Sequence, residues 1–201
     1  MSLRRVQNAY AARAGEYAEQ LGHMGAVAEP DRRLVLGWAT GLTGPVVDVG
    51  CGPGHWTAYL HDHGVDVSGV DPVPEFVAHA RDAHPAVTFR PGTAERLYAA
   101  DGELGGVLAW YSLIRHASDR VPAVLAEFAR VLRPGGGLLL GFFEGPASER
   151  FDHAVITAYR WPVDALTTLV EDAGFAVTST QTRTDPGARP HGAITATRHP
   201  G

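Results

Sequence analysis

The sequence predicts an α/β fold, with a mostly parallel sheet carrying helices on both faces. Three observations point there. From Pro45 onward, short apolar runs alternate with stretches of helical periodicity, and Gly/Pro-rich breaks separate them. The run GLLLGFF is apolar throughout, as a strand covered on both faces must be. The chain closes with two strand-like runs joined by the turn-rich DPGARPHG, which reads as an antiparallel hairpin.

The elements follow in order. Residues 1–44 read as an N-terminal helical cap. Tyr10, Ala14, Tyr17, Ala18 and Leu21 recur at helical spacing, and a second helix runs from Asp31, its expected cap, to Trp38 and ends near Gly41. PVVDVG is the first core strand, and Gly50-Cys51-Gly52-Pro53-Gly54 breaks it sharply. HWTAYLHDHG is a helix ending at Gly64, VDVSGVD a strand, PEFVAHARDA a helix and VTFR a third strand. A loop and a short helix are expected around 94–99, then a fourth strand in GGVLAWYSL. Ser118 or Asp119 is placed to cap the next helix, whose Val121, Val124, Leu125, Phe128, Val131 and Leu132 make one apolar stripe. Pro134 to Gly137 stops it, and GLLLGFF is the fifth strand. Pro162 opens a helix carrying Val163, Leu166, Leu169 and Val170, which Gly174 ends before the hairpin. The reading is one domain over 1–201: cap 1–44, α/β core 45–145, and a substrate-side segment with the C-terminal hairpin over 146–201.

Composition narrows the function. At 201 residues, with 45% hydrophobic and 19% charged, the chain has the balance of one globular domain. No run approaches the ~18 apolar residues of a membrane span, and no apolar run follows the basic pair Arg4-Arg5, so no secretory signal is expected. Cys51 is the only cysteine, which excludes an internal disulfide and a cysteine-based zinc cage and points to the cytoplasm. The formal charge is −5, and all 17 basic residues are arginines with no cluster beyond pairs. A phosphate backbone is usually met by a basic stripe, so a nucleic-acid partner is not expected.

The strongest local signal is VVDVGCGPG over 46–54. A strand runs into glycines at 50, 52 and 54, and a helix follows. Ligands of open α/β sheets bind beyond the carboxyl ends of the strands, where glycines admit a close backbone approach and the helix N-terminus offers N–H groups. Asp71 stands one helix and one strand further on, beside that turn, where a carboxylate can accept from both hydroxyls of a ribose. The same aspartate precedes Pro72 and is also placed to cap a helix.

The G-C-G-P-G spacing, with Asp48 in the strand before it, resembles motif I of the class I S-adenosylmethionine-dependent methyltransferases. The resemblance continues through Asp71, PGTAERL (91–97), GGVLAWYSLIRH (105–116) and RVLRPGGGLLLGFF (130–143). It implies a Rossmann-like sandwich with a mostly parallel seven-stranded sheet, an antiparallel C-terminal hairpin and an N-terminal helical cap. It implies S-adenosylmethionine as cofactor and S-adenosylhomocysteine as product. By the resemblance, Asp48 belongs to the cofactor site, and Gly50, Cys51 and Gly52 pass the methionine part of the cofactor by backbone contact. Asp71 holds the ribose, with Pro72 and Val73 beside the adenine and Thr93 and Ala94 at its edge. Trp110 faces the amino end, and Tyr17 or Tyr10 from the cap reaches the carboxylate. The family often has an acid where Thr93 stands. Cys51 reads as a buried spacer rather than a nucleophile, since no base pairs with it.

Methyl transfer from a sulfonium is an in-line displacement, so the protein must align the acceptor and exclude water. A base is needed only where the acceptor must lose a proton. His116 and His153 are the histidine candidates. Similar small methyltransferases often carry a histidine directly after the segment matching YSLI, where this chain has Arg115. Arg115, Tyr111, Phe143 and Tyr159 are expected to line the acceptor side, together with Trp161, and Arg115 can meet an acidic group. A metal is not expected, because Glu144 is the only obvious acid past the fourth and fifth strands. The aromatic residues suit a small, partly apolar acceptor. Two other readings stay open: a nicotinamide-dependent oxidoreductase on the same glycines and acid, and a non-catalytic module that binds the methionine cofactor. The sequence leaves oligomeric state open.

Overall fold

In a computed structural model of the chain, the structure describes residues 22–152 and 157–200. The expectations placed on Tyr10, Tyr17 and His153 fall outside them. A 3-10 turn, Met24–Ala26, leads into helix α1 (Glu29–Thr40). The core then alternates β1 (Val46–Val49), α2 (His55–Asp62), β2 (Val67–Asp71), α3 (Pro74–Ala83), β3 (Thr88–Pro91), β4 (Leu104–Trp110), α4 (Val121–Val131) and β5 (Leu132–Glu144). A small hairpin, β6 (Glu149–Phe151) and β7 (Ala158–Trp161), precedes α5 (Val163–Asp172), β8 (Phe175–Arg183) and β9 (His191–Arg198).

The strands form one mixed sheet in the order β3-β2-β1-β4-β5-β7-β6, parallel from β3 to β5. β9 runs antiparallel to β5 from Gly137↔Thr197 to Phe143↔His191, and β8 pairs with β9. The order reverses direction between β1 and β4, the crevice where open α/β sheets bind ligands. Among the described residues the sheet has nine strands where seven were expected. The additions are β6 and β7, of three and four residues, too short to leave a readable alternation.

The burial pattern explains the layers. All four residues of β1 are buried, as are the first six of β4. Val121, Val124, Leu125, Phe128 and Val131 of α4 join Leu166 and Val170 of α5 in the main apolar cluster on one face. Val35 and Ala39 of α1 and Trp56 and Leu60 of α2 build the cluster on the other. No helix among the described residues is long and apolar enough to cross a membrane.

Three local expectations are corrected. Asp31 does not cap its helix: α1 begins earlier, with Ala28 at the cap and Pro30 in the first turn. Neither Ser118 nor Asp119 caps α4, where Arg120 holds that position and Pro122 lies in the first turn. The reason is shared, since proline's fixed φ and missing N–H suit the first turn and draw the helix start ahead of it. The stretch 94–99 is not helical. Thr93 and Arg96 form an isolated bridge, and the Leu97 N–H donates to the Glu127 carboxylate at 2.7 Å, so its donor is used across the fold.

Phe128 is fully buried between α4 and the sheet. Phe128→Ala is expected to lower the unfolding free energy by ~3–5 kcal/mol, measured by urea titration at an unchanged m-value.

Candidate functional site

A cavity of about 920 Å³ opens beyond the carboxyl ends of the parallel strands. One half is built by the turn after β1. Gly50 has φ +75, and a Cβ there would lie 2.4 Å from Ser112 Cβ in the segment after β4. The close approach and the left-handed backbone both require glycine. Gly52 has φ +54 and nothing within 4 Å of an added Cβ, so its surroundings are open. The N–H groups of Gly50 and Cys51 both donate to the Val70 carbonyl, at 2.7 and 3.1 Å, which pins the turn to β2.

Asp71, the last residue of β2, completes this half. Its Oδ2 accepts from the Gly52 N–H at 2.9 Å and its Oδ1 from the Val73 N–H at 2.8 Å. The carboxylate thus fixes the glycine turn and the entry to α3 together. Burial pushes its carboxyl up to about 6, against the opposing pull of those two N–H donors. Asp48 lies under the turn and accepts from the Thr57 hydroxyl at 2.7 Å. Burial pushes it up to about 7, with the Thr57 hydrogen bond working against this and the Asp71 charge adding to it. Cys51 is buried against Val77, Ala80, Val87 and Phe89, and burial holds its thiol well above the ordinary range, so it is a packed spacer.

Pro72, Thr93 and Ala94 line the same half. Beside them His116 Nε2 lies 3.3 Å from Glu95 Oε1, and the His116 hydrogen bond holds the Glu95 carboxyl down at about 2. His116 Nδ1 and Ser112 Oγ are buried with no hydrogen-bond partner among the described residues.

The other half is built by the ends of β4, β5, β8 and β9. Trp110 ends β4, packs edge-on against Trp56 with ring centres 5.8 Å apart, and lies over Gly141. Tyr111 follows with φ 58, a left-handed conformation unusual for a bulky residue. Its ring lies 5.0 Å from that of Phe143, and its hydroxyl lies 2.5 Å from His191 Nδ1. Burial pushes the Tyr111 hydroxyl above the ordinary phenol range. The Arg115 guanidinium donates to the Thr157 carbonyl at 3.3 Å, and burial lowers it to about 10. Arg183 bridges Asp185 at 2.9 Å and Asp31 at 3.1 Å, which joins the end of β8 to α1.

The cavity therefore brings together Asp48, Gly50, Cys51, Gly52, Asp71, Pro72, Thr93, Ala94, Trp110, Tyr111, Arg115, His116 and Phe143. Tyr159 stands on β7, packed against the main apolar cluster, and is not among the residues lining the cavity. Sequence reasoning missed Asp31, Glu95, Arg183, Asp185 and His191, which all line it. One signal was available for His191: a final strand antiparallel to the fifth puts its first residue opposite Phe143.

Residues 46–136 match a family described as a methyltransferase domain. Over those residues the chain carries a methyltransferase domain, as the resemblance to the class I S-adenosylmethionine-dependent methyltransferases implied. The methyltransferase core is 35% identical over 91 residues to the malonyl-[acyl-carrier protein] O-methyltransferase of Pectobacterium atrosepticum, a match covering 45% of this chain and 35% of that protein. The chain thus spans about a third of the length of that relative. The fold is shared with the 1,6-didemethyltoxoflavin-N1-methyltransferase of Burkholderia thailandensis, solved with 1,6-didemethyltoxoflavin and S-adenosylhomocysteine. That pair has a TM-score of 0.76 and 21% identity, over 100% of this chain and 92% of that one. It is also shared with the [4+2]-cyclase SpnF, at a TM-score of 0.82 and 17% identity over 100% and 98% of the two chains. At these identities the two structures establish a common fold alone.

The raised Asp48 carboxyl carries a stability prediction. A carboxyl whose folded pKa of about 7 exceeds its ordinary 3.8 favours the folded state most at low pH, and that contribution is lost as pH rises through 7. The melting temperature of the ligand-free protein is expected to carry a component that falls between pH 4 and pH 8. Asp48→Asn should flatten it, as read by calorimetry across that range.

Proposed function

We propose that this chain binds S-adenosylmethionine in the glycine-lined half of the cavity and delivers its methyl group to a small-molecule acceptor in the other half. The arrangement of Asp71 carries the reading. Its two oxygens each hold one backbone N–H, at 2.9 and 2.8 Å, and a carboxylate has further lone pairs for the two ribose hydroxyls. Gly52 leaves open space beside it for the methionine chain. When bound, the cofactor supplies the activated methyl group and a positively charged sulfur leaving group.

The chain's own residues divide the remaining work. Pro72 and Val73 flank the adenine, and Thr93 and Ala94 meet its edge. Asp48 and Asp71 are the buried acids of this half and offset the positive charge of the cofactor. Trp110 closes the amino end and separates the two halves. His116, tied to Glu95 next to Ala94, orients the adenine-side turn. Tyr111, Phe143 and Arg115 receive the acceptor, a lining that suits a partly apolar molecule with an acidic group. The names of the relatives support a small-molecule acceptor: the Burkholderia enzyme was solved with 1,6-didemethyltoxoflavin.

Isothermal titration with S-adenosylhomocysteine tests the reading. Wild type is expected to bind, and Asp71→Ala to bind about ten- to a hundredfold more weakly, the worth of hydrogen bonds to a charged group. No binding by the wild type sinks the proposal. S-Adenosylmethionine should also release protons on binding between pH 6 and 7, because a cation beside Asp71 and Asp48 lowers carboxyls that burial has raised to about 6 and about 7. The measurement is the change in binding heat between buffers of different ionisation enthalpy.

A further inference from the structure

The acceptor half holds a chain of polar groups beyond those assigned above to the cofactor. The Tyr111 hydroxyl lies 2.5 Å from His191 Nδ1. His191 Nε2 lies 3.9 Å from Asp185 Oδ2, an ion-pair distance rather than a hydrogen bond. That carboxylate favours the hydrogen on Nε2, so Nδ1 is left to accept from the Tyr111 hydroxyl. Four strand ends or flanking segments and one helix converge here. Tyr111 comes after β4, Arg183 and Asp185 from the end of β8 and its turn, His191 from the start of β9 beside Phe143, and Asp31 from α1. Tyr111 is held toward this group by its strained backbone, at φ 58.

We infer that Tyr111 and His191 form a proton relay for a hydroxyl acceptor carried on an aromatic ring, making this site a phenol O-methyltransferase. The inference rests on the function proposed above and deepens it. The acceptor ring lies against Phe143 and Trp110, and its hydroxyl meets the Tyr111 oxygen. As the acceptor oxygen forms its bond to the methyl carbon, the carbon–sulfur bond breaks and its electron pair stays on sulfur. The acceptor's proton passes to the Tyr111 oxygen while the Tyr111 proton passes to His191 Nδ1. The resulting imidazolium faces Asp185. Tyr111 touches the acceptor and is the catalytic residue; His191 acts through it. Burial and the Arg183 charge lower the His191 imidazole, against the raising effects of Asp31 and Asp185, which keeps it neutral and ready to accept at neutral pH. An aromatic amine or thioether acceptor, unprotonated and already nucleophilic at that pH, would have no use for this relay.

The probe is 4-nitrophenol, whose phenolate absorbs visible light. In the complex of wild type with S-adenosylhomocysteine, a phenolate band is expected at a pH where the free phenol is mostly neutral. His191→Gln and Tyr111→Phe should each abolish that band while binding S-adenosylhomocysteine as wild type does. With S-adenosylmethionine, single-turnover methylation of unsubstituted phenol, which is neutral in solution at pH 7, should fall at least about a hundredfold at that pH in either variant. In wild type the rate should drop on acidification only below the ordinary imidazole range. In His191→Gln it should instead follow the ionisation of the free phenol. Faster methylation of 4-nitroaniline than of 4-nitrophenol overturns the relay. So does a band or a turnover within threefold of wild type in both variants, or no 4-nitrophenol binding by protein that holds S-adenosylhomocysteine. Failure to bind S-adenosylhomocysteine would instead sink the cofactor assignment.

Discussion

Asp71 is the joint on which the site depends. One carboxylate ties the β1 turn to the end of β2 through the Gly52 N–H and turns the chain into α3 through the Val73 N–H. With no ion pair among the described residues, its burial raises the cost of its charge, and that charge adds to the effect of burial on Asp48 beneath it. The two acids therefore form a region waiting for positive charge. The glycine turn is held in shape by backbone bonds to Val70 as well, so little reorganisation is needed when a ligand enters. Asp71 does not itself cap α3, whose cap position is Val73; it holds the Val73 N–H, and that hold is compatible with a ligand role because each oxygen has further lone pairs.

The nucleoside half and the acceptor half are built on different principles. The first is mostly backbone: turns after β1 and β2 with small residues, fixed by main-chain bonds. The second is mostly side chain, with aromatic rings packed edge to face and a line of ion pairs. Backbone cradles read a ligand common to a family, while side-chain walls are free to differ. This division accounts for a family match confined to 46–136, which ends before β8 and β9 contribute their share of the acceptor wall.

The same division decides what was legible in the sequence. The parallel core could be read because each strand–turn–helix step is local: apolar run, glycine break, periodic helix. Gly50, Gly52 and Asp71 could be placed for the same reason, being separated by one helix and one strand. The helix starts at α1 and α4 were misjudged by favouring an acidic or hydroxyl cap over proline in the first turn. The turn at 93–97 was misjudged because its Leu97 N–H is satisfied by Glu127, thirty residues away, a partner that no local pattern announces. His191, Asp185 and Arg183 escaped for a related reason. They lie in and around a segment whose polar, proline- and glycine-rich character reads as an ordinary turn. Only the register of β9 against β5, and of β8 against β9, carries them to the mouth of β4.

That long-range dependence sets an order of assembly during synthesis. Every described group of the nucleoside cradle, from Asp48 to Ala94, leaves the ribosome before the first residue of β8 has been translated. The strand that carries His191 follows β8, yet it lies in the sheet against β5, with Ile194 and Ala196 in the apolar interior. The residues that hold a nucleoside and those proposed to discriminate among acceptors are therefore synthesised at different times, and β8, β9 and the turn between them supply the second set.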